Sequence, residues 1–421
     1  MSRKEQIISA IDIGTTKIVA IICRMNEQGK YDVLGMGHSP SNGVKRGVVI
    51  HIEDTVNAIS SARAEAEQKA GIKMREVYVG IAGQHIKSMK NRNRKYIEGE
   101  EISEEDVLYL TEQMRKTPVD PGEQIFHVIP QSYIVDKEED VTRPVGMSGQ
   151  VLEANFHLVI GKIASAKNII KCVNRVDLEV KELILEPLAS SAAVLTDDER
   201  EAGVALVDIG GGTTDVAIFH NKVVRHTAVI PFGGNVITND IKEGCSILLR
   251  HAEALKTQFG SAMGDTAPAE KVVTIPGISG RDSREISFKN LAYIIQARMD
   301  EILDAVIFEI ENSGFQEKLS AGIVVTGGGS LLKDLPQMIK FKTGYDTRLG
   351  YPNKLLVPEI DEKINQPMFA TSVGLAIKGQ ESGFTSSSGS VGSAGISFPT
   401  GIGKKVREKW GDFFSDNSDS F

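Results

Sequence analysis

One short plan occurs twice in this chain, and it limits the possible folds more than any other feature. Residues 7 to 22 read as strand, tight turn, strand: Ile-Ile-Ser-Ala-Ile-Asp-Ile, then Gly14-Thr15-Thr16-Lys17, then Ile-Val-Ala-Ile-Ile. Residues 204 to 219 repeat it, with Val-Ala-Leu-Val-Asp-Ile, Gly210-Gly211-Gly212-Thr213-Thr214-Asp215 and Val-Ala-Ile-Phe. Asp12 therefore matches Asp208 at an offset of 208 − 12 = 196 residues. Two copies of one β-hairpin so far apart point to a duplicated domain. Between them helical patterns alternate with strands. Asp54 can cap a helix ending at Gly71, Val77 to Ile81 is a strand, Ser103 with Asp106 opens a helix faced by Val107, Leu110 and Met114, and residues 165 to 177 are helical before the strand 182 to 185. Such alternation predicts α/β layers.

The remaining composition excludes several classes. A chain of 421 residues is too long for one core, so two or more domains are expected. Its 48 basic and 56 acidic residues leave a formal charge of −8, which argues against a nucleic-acid partner. No apolar run reaches the roughly 18 residues of a spanning helix, and no secretory signal is evident. Cys23, Cys172 and Cys245 are odd in number and widely spaced, which suits a reducing compartment without a disulfide or zinc framework.

Phosphate groups need backbone N–H donors at close range, which small residues allow. Gly14, Thr15 and Thr16 in one hairpin, and Gly210, Gly211, Gly212, Thr213 and Thr214 in the other, supply them twice, with Lys17 as a point charge. Asp12 and Asp208 stand just before the turns, where each can hold a water of a hydrated Mg²⁺. A third turn, Gly327-Gly328-Gly329-Ser330, follows the strand 323 to 326 and suits a ribose or base. One such turn alone is ordinarily only a hairpin; three, two of them with the same Asp and Thr-Thr signature, favour a nucleotide clamp. There is no P-loop, no dinucleotide fingerprint and no protein-kinase signature.

These residues, with the Gly233-Gly234 turn, resemble the superfamily of actin, heat-shock-chaperone and sugar-kinase ATPases. His127-Val128-Ile129-Pro130-Gln131, Pro144 to Gly149 and the stretch His226 to Asn235 are similar, more narrowly, to the bacterial FtsA cell-division family. The resemblance covers roughly residues 6 to 378 and returns at the C-terminal tip. It departs at Ser88 to Arg94, where basic residues stand in what the family tends to make a neutral turn; the run Lys87 to Lys95 reads mainly as a solvated face.

The resemblance implies an α/β, actin-like two-lobe ATPase fold with ATP and Mg²⁺ in the cleft. Its parts would be a first-lobe core (1–83 and 164–196), an inserted subdomain (84–163), a second-lobe core (197–242 and 303–379) and an accessory subdomain (243–302). It also implies that Glu186 positions an attacking water, with slow hydrolysis at most, and that Glu253 and Lys256 touch the ribose or base. The implied partners are FtsZ, further copies of the chain and downstream division proteins, at the cytoplasmic face of the cell membrane.

Beyond residue 380 the composition changes. Of the 22 residues from Gln380 to Gly401, seven are Ser and five Gly, so a flexible linker over 380–401 is expected. After it, at 100° per residue, Ile402, Val406, Trp410, Phe413 and Phe414 share an arc of about 120°, and Lys404, Lys405, Arg407 and Lys409 lie opposite. A terminal helix docked on the body is the bland reading; the long linker favours a helix over 402–414 lying on anionic lipid. A sugar or acid kinase on the same fold would not need this tail. A chaperone would need a substrate domain that so short a tail cannot provide.

Overall fold

The structure, a computed structural model, describes residues 6–277, 282–358 and 361–388. The first lobe begins with strands β1 (Ile7–Ile13), β2 (Lys17–Met25) and β3 (Tyr31–Pro40), a ribbon of β4 (Val44–Lys45) and β5 (Val48–Val49), helix α1 (Ile52–Ala70) and β6 (Glu76–Ile81). Gly71 ends α1 in the left-handed conformation, as expected, but the N-cap is His51, with Asp54 inside the first turn.

An inserted unit follows: β7 (Lys87–Tyr96), α2 (Glu104–Arg115), β8 (Glu123–Val135), β9 (Glu138–Val141) and β10 (Val151–Lys162). Its sheet has the order β7-β10-β8-β9. Ser103 and Asp106 form a complete capping box, and Val107, Leu110 and Met114 turn inward against Leu152, Phe156 and Leu158. The basic run is a strand rather than a turn. Its alternation leaves every side chain partly or fully exposed, and Lys87, Arg92 and Lys95 pair with Glu123, Glu153 and Asp106.

The chain returns to the first lobe through α3 (Ile163–Asn174), β11 (Glu179–Leu185) and α4 (Glu186–Val194), then enters the second through α5 (Asp197–Ala202), β12 (Val204–Ile209), β13 (Thr214–His220) and β14 (Val223–Ile230). Next come α6 (Gly234–Cys245), α7 (Leu249–Phe259), the ribbon β15 (Val272–Ile275) with β16 (Arg284–Ser287), α8 (Phe288–Ser313), β17 (Ile323–Thr326), α9 (Leu335–Thr343), β18 (Thr347–Leu349) and α10 (Ala370–Ser388).

The duplication is visible in the sheets. The first is ordered β11-β6-β1-β2-β3 and the second β18-β17-β12-β13-β14, each with two antiparallel pairs on one side of its leading strand and two parallel pairs on the other. Strand β12 is buried at every position, as a strand covered on both faces should be. Helices α4 and α10 join residues of both sheets in one apolar cluster. Pro187 to Val194 are all buried, because small apolar residues on every side make α4 an interior helix.

Three expected boundaries shift. Both 242/243 and 302/303 fall inside helices, α6 and α8, so the accessory unit has no break at either point. Helix α10 runs past residue 380 to Ser388, where buried Gln380 bonds Gln6, so the linker expected from 380 cannot begin there. The rest of that linker and the helix at 402–414, with Ile402, Lys404, Lys405, Val406, Arg407, Lys409, Trp410, Phe413 and Phe414, lie outside the described residues. Among the described residues no helix is long and apolar enough to cross a membrane.

Candidate functional site

The tips of the two duplicated hairpins touch. A Cβ on Gly211 would stand 1.9 Å from Thr16 Oγ1, a distance no side chain tolerates. Behind the tips lies a cavity of about 290 Å³. It is lined by Asp12, Gly14, Thr15, Thr16 and Lys17 from the first hairpin, and by Asp208 and Gly210 to Thr213 from the second. Glu186, Gly234, Glu253, Lys256 and Gly327 to Gly329 also line it. Two expected residues do not line it: the Thr214 hydroxyl is spent on the Phe232 carbonyl at 2.8 Å, and Gly233 caps α6 behind the loop.

Each wall has an identifiable support. The Gly234 and Asn235 amides donate to the Gly210 and Gly211 carbonyls at 2.9 and 2.8 Å, which fixes the second hairpin to the N-terminus of α6. Glu253 and Lys256 pair at 2.8 Å on α7, and Lys256 also donates to the Gly234 carbonyl at 2.9 Å. Gly327 has φ +83°, and a Cβ there would lie 2.3 Å from Asp208 Oδ1, so the third glycine turn is pressed against the second hairpin's carboxylate. Lys17 Nζ donates to the Met368 carbonyl at 2.5 Å, while Ser190 and Thr371 donate to Asp208. Helices α4 and α10 thereby reach the site.

Sequence reading missed Asp215, which lines the cavity from the place after Thr-Thr that Lys17 holds in the first hairpin. It also missed Asn235, Met368 and Thr371. The swap of Lys for Asp between the two copies was the available signal. Five carboxylates and two ammonium groups line the cavity; Glu253 and Lys256 pair with each other, which leaves Asp12, Glu186, Asp208 and Asp215 around Lys17, and Asp215 Oδ1 is buried without a hydrogen-bond partner.

Burial lifts Asp12 to about 6 despite the nearby Lys17 ammonium, and the Asp208 charge pushes the same way. Burial likewise raises Asp208, against donation from Ser190 and Thr371. Asp215 and Glu186 stand well above the usual carboxylate range, through burial first and their acidic neighbours second. Lys17 is lowered by burial, opposed by Asp12 and Asp208. These residues fit a hydrated divalent cation and phosphates. Among the described residues no three His, Cys, Asp or Glu side chains converge on one point; Mg²⁺ usually keeps several of its waters, and carboxylates placed like these can hold such waters.

Each raised carboxyl keeps its proton to a higher pH folded than unfolded. The folded chain thus binds more protons above the ordinary carboxylate range, and its stability falls as pH rises through that window, up to about 6 for Asp12. Asp215→Asn should therefore raise the thermal midpoint of the nucleotide-free protein by about 2–4 °C at pH 8 and by less at pH 5. Thermal melts at both values check this; equal midpoints, or a larger gain at pH 5, would contradict it.

A second hollow of about 490 Å³ adjoins the first and shares Gly234, Lys256, Thr257, Gly328, Gly329 and Met368 with it. Its outer wall is largely apolar, with Ile237, Phe259, Pro268, Phe288 and Leu332. A charged chamber opening into an apolar one matches a ligand with a polyanionic end and a flat, hydrophobic end.

Residues 205–374 match the family model "Cell division protein FtsA", and residues 83–160 match "SHS2 domain inserted in FTSA". The cell-division protein FtsA of Pseudomonas aeruginosa is 38% identical over 374 residues, covering 89% of each chain. That of Neisseria meningitidis is 38% identical over 376 residues, covering 89% of this chain and 90% of its own. Among solved structures, the PilM-PilN type IV pilus biogenesis complex superposes with a TM-score of 0.64 at 15% identity, covering 88% of this chain and 98% of that one. MreB5 of Spiroplasma citri bound to AMPPNP gives 0.57 at 14%, covering 92% and 100%. The fold is the actin-like one, with the inserted subdomain in its first lobe. By the extent and level of these matches, the chain belongs to the FtsA family of cell-division proteins.

Proposed function

We propose that the chain binds ATP with Mg²⁺ between its lobes and uses it to govern self-assembly, while tethering the FtsZ ring to the cytoplasmic face of the membrane at the division site. The observation that carries the nucleotide half is the pair of hairpin tips in contact over a carboxylate-rich cavity that opens into an apolar hollow. MreB5, of the same fold, is bound to AMPPNP in its crystal structure.

Loop amides, the hydroxyls of Thr15, Thr16 and Thr213 and the Lys17 ammonium would bind phosphate oxygens, and Asp12, Asp208 and Asp215 would hold waters of the cation. Mg²⁺ supplies charge neutralisation on the phosphates when bound. Glu186 would orient an attacking water, so hydrolysis is slow and rests on positioning and electrostatics. The base would lie between Glu253, Lys256 and Gly327 to Gly329. Membership of the family supports FtsZ, further copies of the chain and later division proteins as partners, and anionic lipid as the partner of residues 402–414.

Equilibrium binding of ATP and ADP with Mg²⁺ and with EDTA tests the nucleotide half. Tight binding only with Mg²⁺ is expected. Binding indifferent to the metal, or none, would contradict it.

A further inference from the structure

His127-Val128-Ile129-Pro130-Gln131 lies outside the cavity, yet it joins all three parts of the molecule. At one end, the Gln131 side chain donates to the Val224 carbonyl of β14, and Arg225 returns a hydrogen bond to the Gln131 carbonyl at 3.1 Å. His157 and Ser88, on the strands β10 and β7, bond Thr227 in the same second-lobe strand at 2.8 and 3.0 Å. Ile129 and Val159 pack on Leu185 and Leu188 of the first lobe, with Val224 against them.

The other end touches the first lobe. Strand β11 is the outer strand of its sheet, so an N–H pointing outward from it has no strand to bond. Buried His127 supplies the missing acceptor: its Nε2 takes the Leu185 N–H at 3.0 Å. Leu185 caps α4, and the next residue is Glu186. Among the described residues no hydrogen bond reaches the Glu186 carboxylate, so its backbone sets where it stands.

We propose that His127 is a positioning residue, through which the inserted subdomain holds Glu186 in place over the cavity. This rests on the nucleotide reading above. Burial, aided by the charges of Arg115 and Lys378, lowers His127 to about 4, so the ring stays neutral and Nε2 stays an acceptor at working pH.

The test compares the full-length wild type with His127→Leu, which removes the acceptor, and His127→Gln, whose amide oxygen can replace it. MgATP binding should stay within about twofold in both. ATP turnover should fall about ten- to a hundredfold in His127→Leu and largely return in His127→Gln, with faster amide exchange at Leu185 and Glu186 in the first only. If His127→Leu does not fold, His127→Asn, one methylene shorter than the glutamine, makes the same comparison. Wild-type turnover in the variant without an acceptor would overturn the proposal, as would parallel loss of binding and turnover. A wild type that binds MgATP but never cleaves it would overturn the proposal and leave nucleotide binding standing, whereas a wild type that binds no nucleotide would remove the reading beneath it.

Discussion

Gly211→Val is expected to abolish MgATP binding while both lobes stay folded. The Cβ alone would sit 1.9 Å from Thr16 Oγ1 and 3.4 Å from Asn235 Oδ1, and valine adds two methyl groups to it. The tips must then part, which separates the two sets of loop amides that have to close on the same phosphates. A loss of at least about a hundredfold in affinity is expected, about 2.8 kcal/mol. Folding should survive because Gly211 lies in the turn between β12 and β13, outside both strands, and has no left-handed φ that would strain a side chain. Isothermal titration with a circular-dichroism control checks this. A folded variant with unchanged affinity would mean that the nucleotide does not lie between the hairpins.

The second large effect is expected at the membrane. Trp410→Glu places a charge near the middle of the apolar arc formed by Ile402, Val406, Phe413 and Phe414, where an interfacial helix meets the acyl boundary. A cost of about 3 kcal/mol would remove nearly all binding to anionic vesicles, since a helix so short has little affinity to spare. Lys404→Ala with Lys405→Ala should weaken binding to anionic lipid in a salt-dependent way and change neutral-lipid binding little. Nucleotide affinity should be unaffected in both. Flotation that Trp410→Glu leaves unchanged would place the lipid contact elsewhere.

Local chemistry made much of the fold legible in advance. The hairpins, the capping box at Ser103 and the end of α1 at Gly71 each depend on residues within a few positions of one another. The cavity-lining residues of the two hairpins were legible because the pattern occurs twice. What stayed hidden depends on distant pairings. Asp215 reads in the sequence only as the last residue of the second turn; the hairpin register pairs it with Asp208, and only the approach of the two lobes sets that pair beside Asp12 and Glu186. Met368 and Thr371 carry no motif, and they reach the site because α10 packs between the sheets. The 380 boundary was misplaced for a related reason. Ser and Gly signal a linker by composition, yet buried Gln380 and the Lys378–Glu381 pair at 2.7 Å help continue a helix already anchored in the core.

That correction decides where to cut the chain. Truncation after Gly379 would sever α10 and confuse loss of the tail with loss of the core, whereas a chain ending at Ser388 keeps every described contact. The most direct measurement is co-sedimentation of the full chain and the chain ending at Ser388 with anionic vesicles, with and without MgATP. The full chain should sediment with lipid, more so with MgATP as copies assemble and their tails add avidity, and the shortened chain should bind MgATP yet remain in the supernatant. Lipid binding by the shortened chain, or binding by the full chain that ignores nucleotide, would contradict an ATP-governed assembly tethered through residues 402–414.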